Sequence, residues 1–209
     1  MKGDTMKEQG ILFVVSGPAG SGKGTVIKLL RGIVPELGLS VSATTRAPRP
    51  GEVEGVNYYY KTKEEFERML ADGEIVEHTV YMDNYYGTPA AEIRRCLDGG
   101  IDLILEIEVE GAMQIKKLFP DSVAIMLIPP TFAILESRLR GRGTETEDVI
   151  VRRLSRAHDE VAQMEKYDYV TVNREGEAEA CAAEVAAIVR AEHARSARRA
   201  YLADVFFEK

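Results

Sequence analysis

The sequence predicts an α/β protein: a parallel sheet core flanked by helices, carrying a small mixed α/β insertion and an arginine-rich lid. Three observations lead there. Ile11 to Ser16 is a continuous apolar, largely β-branched run that turns through glycines into KGTVIKLLRGIV, where Val26, Leu29, Leu30 and Ile33 recur at helical spacing. Further apolar runs alternate with helical patterns, and that alternation implies parallel strands covered on both faces. Between Ala43 and Thr88 the texture changes to prolines, glycines, tyrosines and charges. The 209 residues therefore divide into core segments 10–42, 89–137 and 157–209, an inserted unit 43–88, and a lid 138–156.

Taken in order, Leu39 to Ser42 reads as a short strand, VNYYY as a strand of the insertion and TKEEFERML as its helix, opened by a Thr62/Glu65 capping box. In YYGTPAAEIRRCL, Thr88 is placed as N-cap, Pro89 at the first helical position and Gly99 as the closing residue. Ile101 to Val109 and Val123 to Ile128 read as buried strands, and alternation puts Glu106, Glu108 and Glu110 on one face at the end of the first. Arg138 to Arg156 holds six arginines around GRGTETED, a mobile glycine-containing turn. DYVTV is a strand, and Glu177 to about Arg199 an Ala-rich amphipathic helix.

Composition narrows the function classes. With 34 acidic against 27 basic side chains the net charge is −7, which argues against nucleic-acid or membrane-surface binding while leaving room for a local basic site. The apolar run before the glycines is too short to span a membrane, and the N-terminus has no cleavage signature, so a cytoplasmic, unprocessed protein is expected. Cys96 and Cys181 lack C-x-x-C spacing, and His78, His158 and His193 are scattered, so no protein-only metal site is expected.

The chemistry begins at SGPAGSGKGT. Between a strand and a helix, Gly17, Pro18, Ala19, Gly20, Ser21, Gly22, Lys23, Gly24 and Thr25 form a loop in which glycines let the backbone approach an anion. Successive N–H groups and the helix N-terminus point at that anion, and Lys23 adds a mobile charge. The usual pattern has a hydroxyl directly after the lysine. Here that position is Gly24, and Thr25 sits about 100° further around the helix. Magnesium keeps most of its water and takes phosphate ligands, so a nucleoside triphosphate with Mg²⁺ bound mainly through phosphates and water is the expected occupant. The G-K-G-T variant resembles that of nucleoside monophosphate kinases.

A second anion site follows. Arg46 and Arg49, three residues apart, together with Tyr58 and Tyr86, supply two guanidinium forks and two phenols that can wrap a phosphate monoester. Arg46-x-x-Arg49-x-x-Glu52, DNYYGT, LEIEVEGA, and RLRGRGTET followed by VRRL resemble guanylate kinase, in order and over essentially the whole chain. The resemblance implies transfer of the ATP γ-phosphoryl group to GMP, and to dGMP, with the insertion 43–88 as the GMP-binding unit. It implies that Arg46, Arg49, Tyr58 and Tyr86 hold the GMP phosphate, with Glu52 closing the arginine motif and Gly87 beside Tyr86. It implies that Ser42, Glu77, Thr88 and Glu108 read the guanine, with Glu106 near a magnesium-bound water or the purine. Lys23, Arg46, Arg138, Arg142 and Arg153 become the charge-neutralising residues of transfer, and Asn173 lies near the ATP adenine.

Chemistry agrees with that carry-over. Guanine offers N1–H and its N2 amino group as adjacent donors, a match for one carboxylate such as Glu77, whereas adenine sets a bare acceptor there. A phosphate monoester has a second pKa of about 6, so the attacking oxygen needs no general base, and catalysis comes from alignment and charge neutralisation. The chain departs from the commonest family pattern at Glu106 and Glu108, where aspartates are usual, at Glu110, often glutamine, and at Ala19 and Thr88, commonly serines. Arg140, Arg152 and Arg156 read as a charged helix surface. The partners implied are small molecules, ATP and GMP; the sequence leaves oligomeric state open. Two other readings stand beside this one: another P-loop kinase with a different acceptor, and a protein-interaction scaffold with a degraded nucleotide site, against which Lys23 and the arginine set speak.

Overall fold

The computed structural model describes residues 9–81, 83–141 and 146–207. In chain order the elements are β1 (Leu12–Ser16), α1 (Lys23–Ile33), β2 (Gly38–Leu39), β3 (Ala43–Thr44), β4 (Tyr59–Tyr60), α2 (Lys63–Ala71), β5 (Ile75–Tyr81), β6 (Asn84–Pro89) and α3 (Ala90–Asp98). Then come β7 (Leu103–Glu106), α4 (Val109–Leu118), β8 (Val123–Ile128), α5 (Phe132–Gly141), α6 (Glu147–Val161), β9 (Tyr169–Val172), α7 (Ala178–His193) and α8 (Leu202–Phe207).

Among the described residues the main sheet has five parallel strands in the order β2-β7-β1-β8-β9. Every residue of β1 is buried, and the pleat sorts them to opposite faces. Phe13 and Val15 pack with Ile27 and Leu30 of α1 and Val185 and Val189 of α7. Leu12 and Val14 pack on the other side with Ile93 of α3 and Ala112 and Ile115 of α4. Both faces are therefore covered, which is why these strands are unbroken apolar runs. The chain leaves β1 at its carboxyl end, between β7 and β8, where open α/β sheets form their ligand crevice.

A second sheet, β4-β3-β6-β5, draws its strands from residues 43–89. Its core is Ala43, Phe66 and Ile75, with the Phe66 ring stacked on Tyr85 at 5.1 Å between centroids. Both halves of the Thr62/Glu65 capping box form at the start of α2.

Several elements are shorter than their patterns suggest, each for a local reason. β2 stops at Leu39; Ser40 N–H still bonds Ile104 O at 3.0 Å, and the chain then crosses to the second sheet. Of VNYYY only Tyr59–Tyr60 is strand, because Val53 to Tyr58 close a turn through Gly55 N–H to Tyr58 O at 2.9 Å and Val53 N–H to Asn57 Oδ1 at 2.8 Å. Thr88 is not an N-cap: it lies in β6 opposite Glu77, and Pro89 caps α3 with φ −68° and ψ 128°. β7 ends at Glu106, and Glu108 is the N-cap of α4, so Glu110 falls in the first helical turn and the three glutamates share no strand face. The run that reads as strand carries on into a helix, and short apolar stretches do not announce that switch. α7 ends at His193; beyond it Arg198 turns back to donate to Asp121 O at 2.8 Å.

Candidate active site

The glycine-rich turn between β1 and α1 is held from behind. Gly22 has φ 95°, a left-handed conformation that suits glycine, and a Cβ there would lie 2.4 Å from Asn173 Nδ2. That amide donates to Ser21 O at 2.8 Å. Arg138 donates to Ser21 O at 3.3 Å and to Asn173 O at 3.0 Å. In front, Lys23 Nζ donates to Gly17 O at 2.6 Å and opens α1, whose first turn has no acidic residue to neutralise its positive end. Asn173 and Arg138 thus meet the loop on its backbone rather than in the cavity described next.

A cavity of about 470 Å³ lies between this loop and the second sheet. Of the residues singled out from sequence, it brings together Ala19, Lys23, Ser42, Tyr58, Glu77, Tyr86, Gly87, Glu106, Glu108 and Arg153. Ser40, Asn57, Thr79, Ile107, Arg156 and Glu160 also line it. Arg156 has the exposure of a surface charge and also lines the cavity, whereas Arg140 pairs with Glu136 at 2.9 Å away from it and Arg152 donates to Asp148 O at 3.2 Å. The expected lid residue Arg142 lies outside the described residues. Arg153, Arg156 and Glu160 recur three and four apart on α6, so one helical face could have revealed them together. Thr79 follows Glu77 by two on β5, a signal of the same kind.

Glu77 is 4% exposed, and Thr88 Oγ1 donates to its Oε1 at 2.6 Å. Burial is the main force raising its pKa to about 6; the Thr88 hydrogen bond pulls down, and the nearby charge of Glu108 pushes up. Burial likewise raises Glu106 and Glu160, with Lys23 drawing both down. Glu160 accepts from Arg156 Nε at 2.9 Å. An acidic cavity of this kind admits a polyphosphate only with cations to offset the repulsion.

The cationic side of the second sheet is built on Arg46. Its Nη2 donates to both Glu52 oxygens, at 2.8 and 3.0 Å, and its guanidinium lies 5.4 Å from the Tyr58 ring centroid. Tyr58 meets Tyr86 edge-on at 6.0 Å. Glu52 also accepts from Arg49 N–H at 2.7 Å and Tyr60 Oη at 2.8 Å, so it braces the arginine loop rather than lining the cavity. The Arg46 hydrogen bond is the main reason its carboxyl is held down at about 2.

At Gly24, a Cβ would sit 3.5 Å from Glu106 Oε1. The place where a loop hydroxyl would usually meet a metal is therefore faced by a carboxylate, a hard oxygen donor suited to Mg²⁺ through water.

A family model described as "Guanylate kinase" matches residues 9–192. The guanylate kinase of Halalkalibacterium halodurans is 52% identical over 192 residues, covering 92% of this chain and 93% of that protein. The guanylate kinase of Oceanobacillus iheyensis is 47% identical over 193 residues, covering 92% and 93%. The crystal structure of guanylate kinase from Anaplasma phagocytophilum superposes with a TM-score of 0.72 at 33% identity, covering 92% of this chain and 90% of that one.

Proposed function

The chain belongs to the guanylate kinase family, and from that membership and the cavity we propose that it transfers the γ-phosphoryl group of ATP to GMP, and to dGMP. The observation that carries the acceptor is the buried Glu77 carboxylate, braced by Thr88, facing the same cavity as the loop lysine, Lys23. Its oxygens complement the N1–H and N2 donors of guanine. Adenine would leave that charge opposite a lone pair, at a cost on the order of several kcal/mol.

On this reading Arg46, Arg49, Tyr58 and Tyr86 grip the GMP phosphate, and Ser42 and Glu108 join Glu77 and Thr88 around the base. Gly87 is small because a Cβ there would lie 2.7 Å from Glu77 O and from Ile75 Cγ2. Residues 17–25 cradle the ATP phosphates, with Asn173 and Arg138 fixing the loop. An oxygen of the GMP phosphate attacks the γ-phosphorus, the bond from that phosphorus to the β,γ-bridging oxygen breaks, and ADP leaves with the electron pair. Lys23 neutralises charge at the β,γ region, while Arg153 and the lid's Arg142 close over the moving group and Arg138 acts through the loop it braces. Glu106, which faces the Gly24 position, would hold a magnesium ion through water, and that ion would supply charge to offset the phosphates. Residues 138–156 act as a lid whose closure excludes water, so a bisubstrate analogue should compact the protein in small-angle scattering.

Cys96 and Cys181 are both free and buried, which fits work in the cytoplasm. Among the described residues no helix is long and apolar enough to cross a membrane. The test is magnesium-dependent ADP formation from ATP with GMP, dGMP, AMP, UMP and CMP offered separately. Turnover confined to the guanine nucleotides supports the proposal; turnover with another monophosphate returns the acceptor to a different P-loop kinase. Absence of turnover together with no ATP binding by calorimetry would instead favour the scaffold reading, whereas ATP binding that disappears in Lys23→Ala removes it.

A further inference from the structure

Glu77 is held from a side that the guanine-reading set does not include. Gly111, in α4, lies against the carboxylate: a Cβ on Gly111 would be 2.5 Å from Glu77 Oε2 and 3.2 Å from its Cδ. The carboxylate has little room to retreat, since Oε1 is tied to Thr88 at 2.6 Å and the side chain is 4% exposed. The helix is also pinned. One turn on from Gly111, Gln114 accepts from His78 N–H at 3.4 Å and donates to His78 O at 3.4 Å, clamping α4 to the residue next to Glu77. Glycine is the least favourable helix residue after proline, so helix formation is no reason for its presence here.

We propose that Gly111 is a specificity-determining positioning residue: its missing side chain is the space that lets Glu77 lie at the guanine edge. This rests on the guanine reading of Glu77. A methyl at position 111 overlaps Oε2, and the carboxylate must swing off its line to the base while the phosphate loop is untouched.

Calorimetry of GMP and ATP binding to wild type and Gly111→Ala tests it. The variant should stay folded with a melting temperature within a few degrees of wild type, because the helix-forming gain of alanine offsets part of the strain of displacing Glu77. Its Kd for GMP should rise about tenfold or more, the scale of a lost charged hydrogen bond, while its Kd for ATP stays within about twofold. Glu77→Asp withdraws the carboxylate by one methylene and opens the contested space, so adding Gly111→Ala to it should cost much less than adding it to wild type. An unchanged GMP Kd in Gly111→Ala, an equal cost in both backgrounds, or a parallel loss of ATP and GMP binding overturns the inference. A wild-type protein that binds ATP but not GMP overturns the acceptor reading and the inference together; the other failures leave that reading standing.

Discussion

Asn173 donates its side-chain amide to the carbonyl of Ser21 at 2.8 Å, tying the residue just after β9 to the phosphate loop. The contact is 5% exposed at Asn173 and is shared with Arg138, which donates to both residues' carbonyls. The loop is therefore shaped before any ligand arrives.

Asn173→Ala should remove a buried hydrogen bond worth about 1–2 kcal/mol and lower the melting temperature by a few degrees. Steady-state kinetics should show a raised KM for ATP with KM for GMP little changed. A melting shift with both KM values intact would mean that the latch stabilises the fold without shaping the loop.

The Glu77 carboxyl gives a pH signature. Its pKa stands at about 6 in the folded protein against an ordinary 4.5, so between those values the folded state binds more protons than the unfolded chain. Stability contributed by that proton is full below pH 4.5 and is lost as pH rises through 6. The loss totals about 2 kcal/mol by neutral pH. Denaturant unfolding of wild type and Glu77→Gln from pH 4.5 to 7.5 should diverge by about that amount, the variant gaining relative stability as pH rises. Parallel curves would contradict the assignment.

Glu52→Gln should loosen Arg46 by taking away its two-oxygen anchor at 2.8 and 3.0 Å. KM for GMP should rise several-fold with KM for ATP nearly constant, and raising the ionic strength should weaken wild type toward the variant. Equal effects on both substrates would point to a general loss of structure.

Helices α5 and α6 separate arginines that look alike in sequence. Arg153 lines the cavity, whereas Arg140 pairs with Glu136 and Glu147 outside it. Arg153→Ala should lower kcat by about 10³-fold or more, as expected for a charge on the transferring phosphoryl group. Arg140→Ala should leave kcat unchanged. Equal, small effects from both would remove Arg153 from the chemistry.

Local signals carried much of this architecture. The apolar run into SGPAGSGKGT, the Thr62/Glu65 box and Val123–Ile128 are determined by neighbours in the chain, and each forms as the pattern implies. What escaped depends on partners far away. Thr88 has the residue type and spacing of an N-cap, yet its hydroxyl goes to Glu77 once β5 and β6 pair. Glu106, Glu108 and Glu110 alternate like a strand, but after the ladder's last bond, Ile107 N–H to Val15 O at 3.3 Å, the chain turns into α4. Gly111 belongs to a helix whose local sequence does not mark it, and its place arises only where α4 meets Glu77 of β5.

The central claim is that one buried carboxylate, Glu77, chooses the acceptor. The most direct measurement compares kcat/KM for GMP and for AMP in wild type and Glu77→Gln. The account predicts a fall of about 10²-fold or more for GMP and a narrowed GMP-to-AMP ratio, since an amide offers one donor and one acceptor where guanine needs two acceptors. GMP turnover that survives Glu77→Gln unchanged would contradict it.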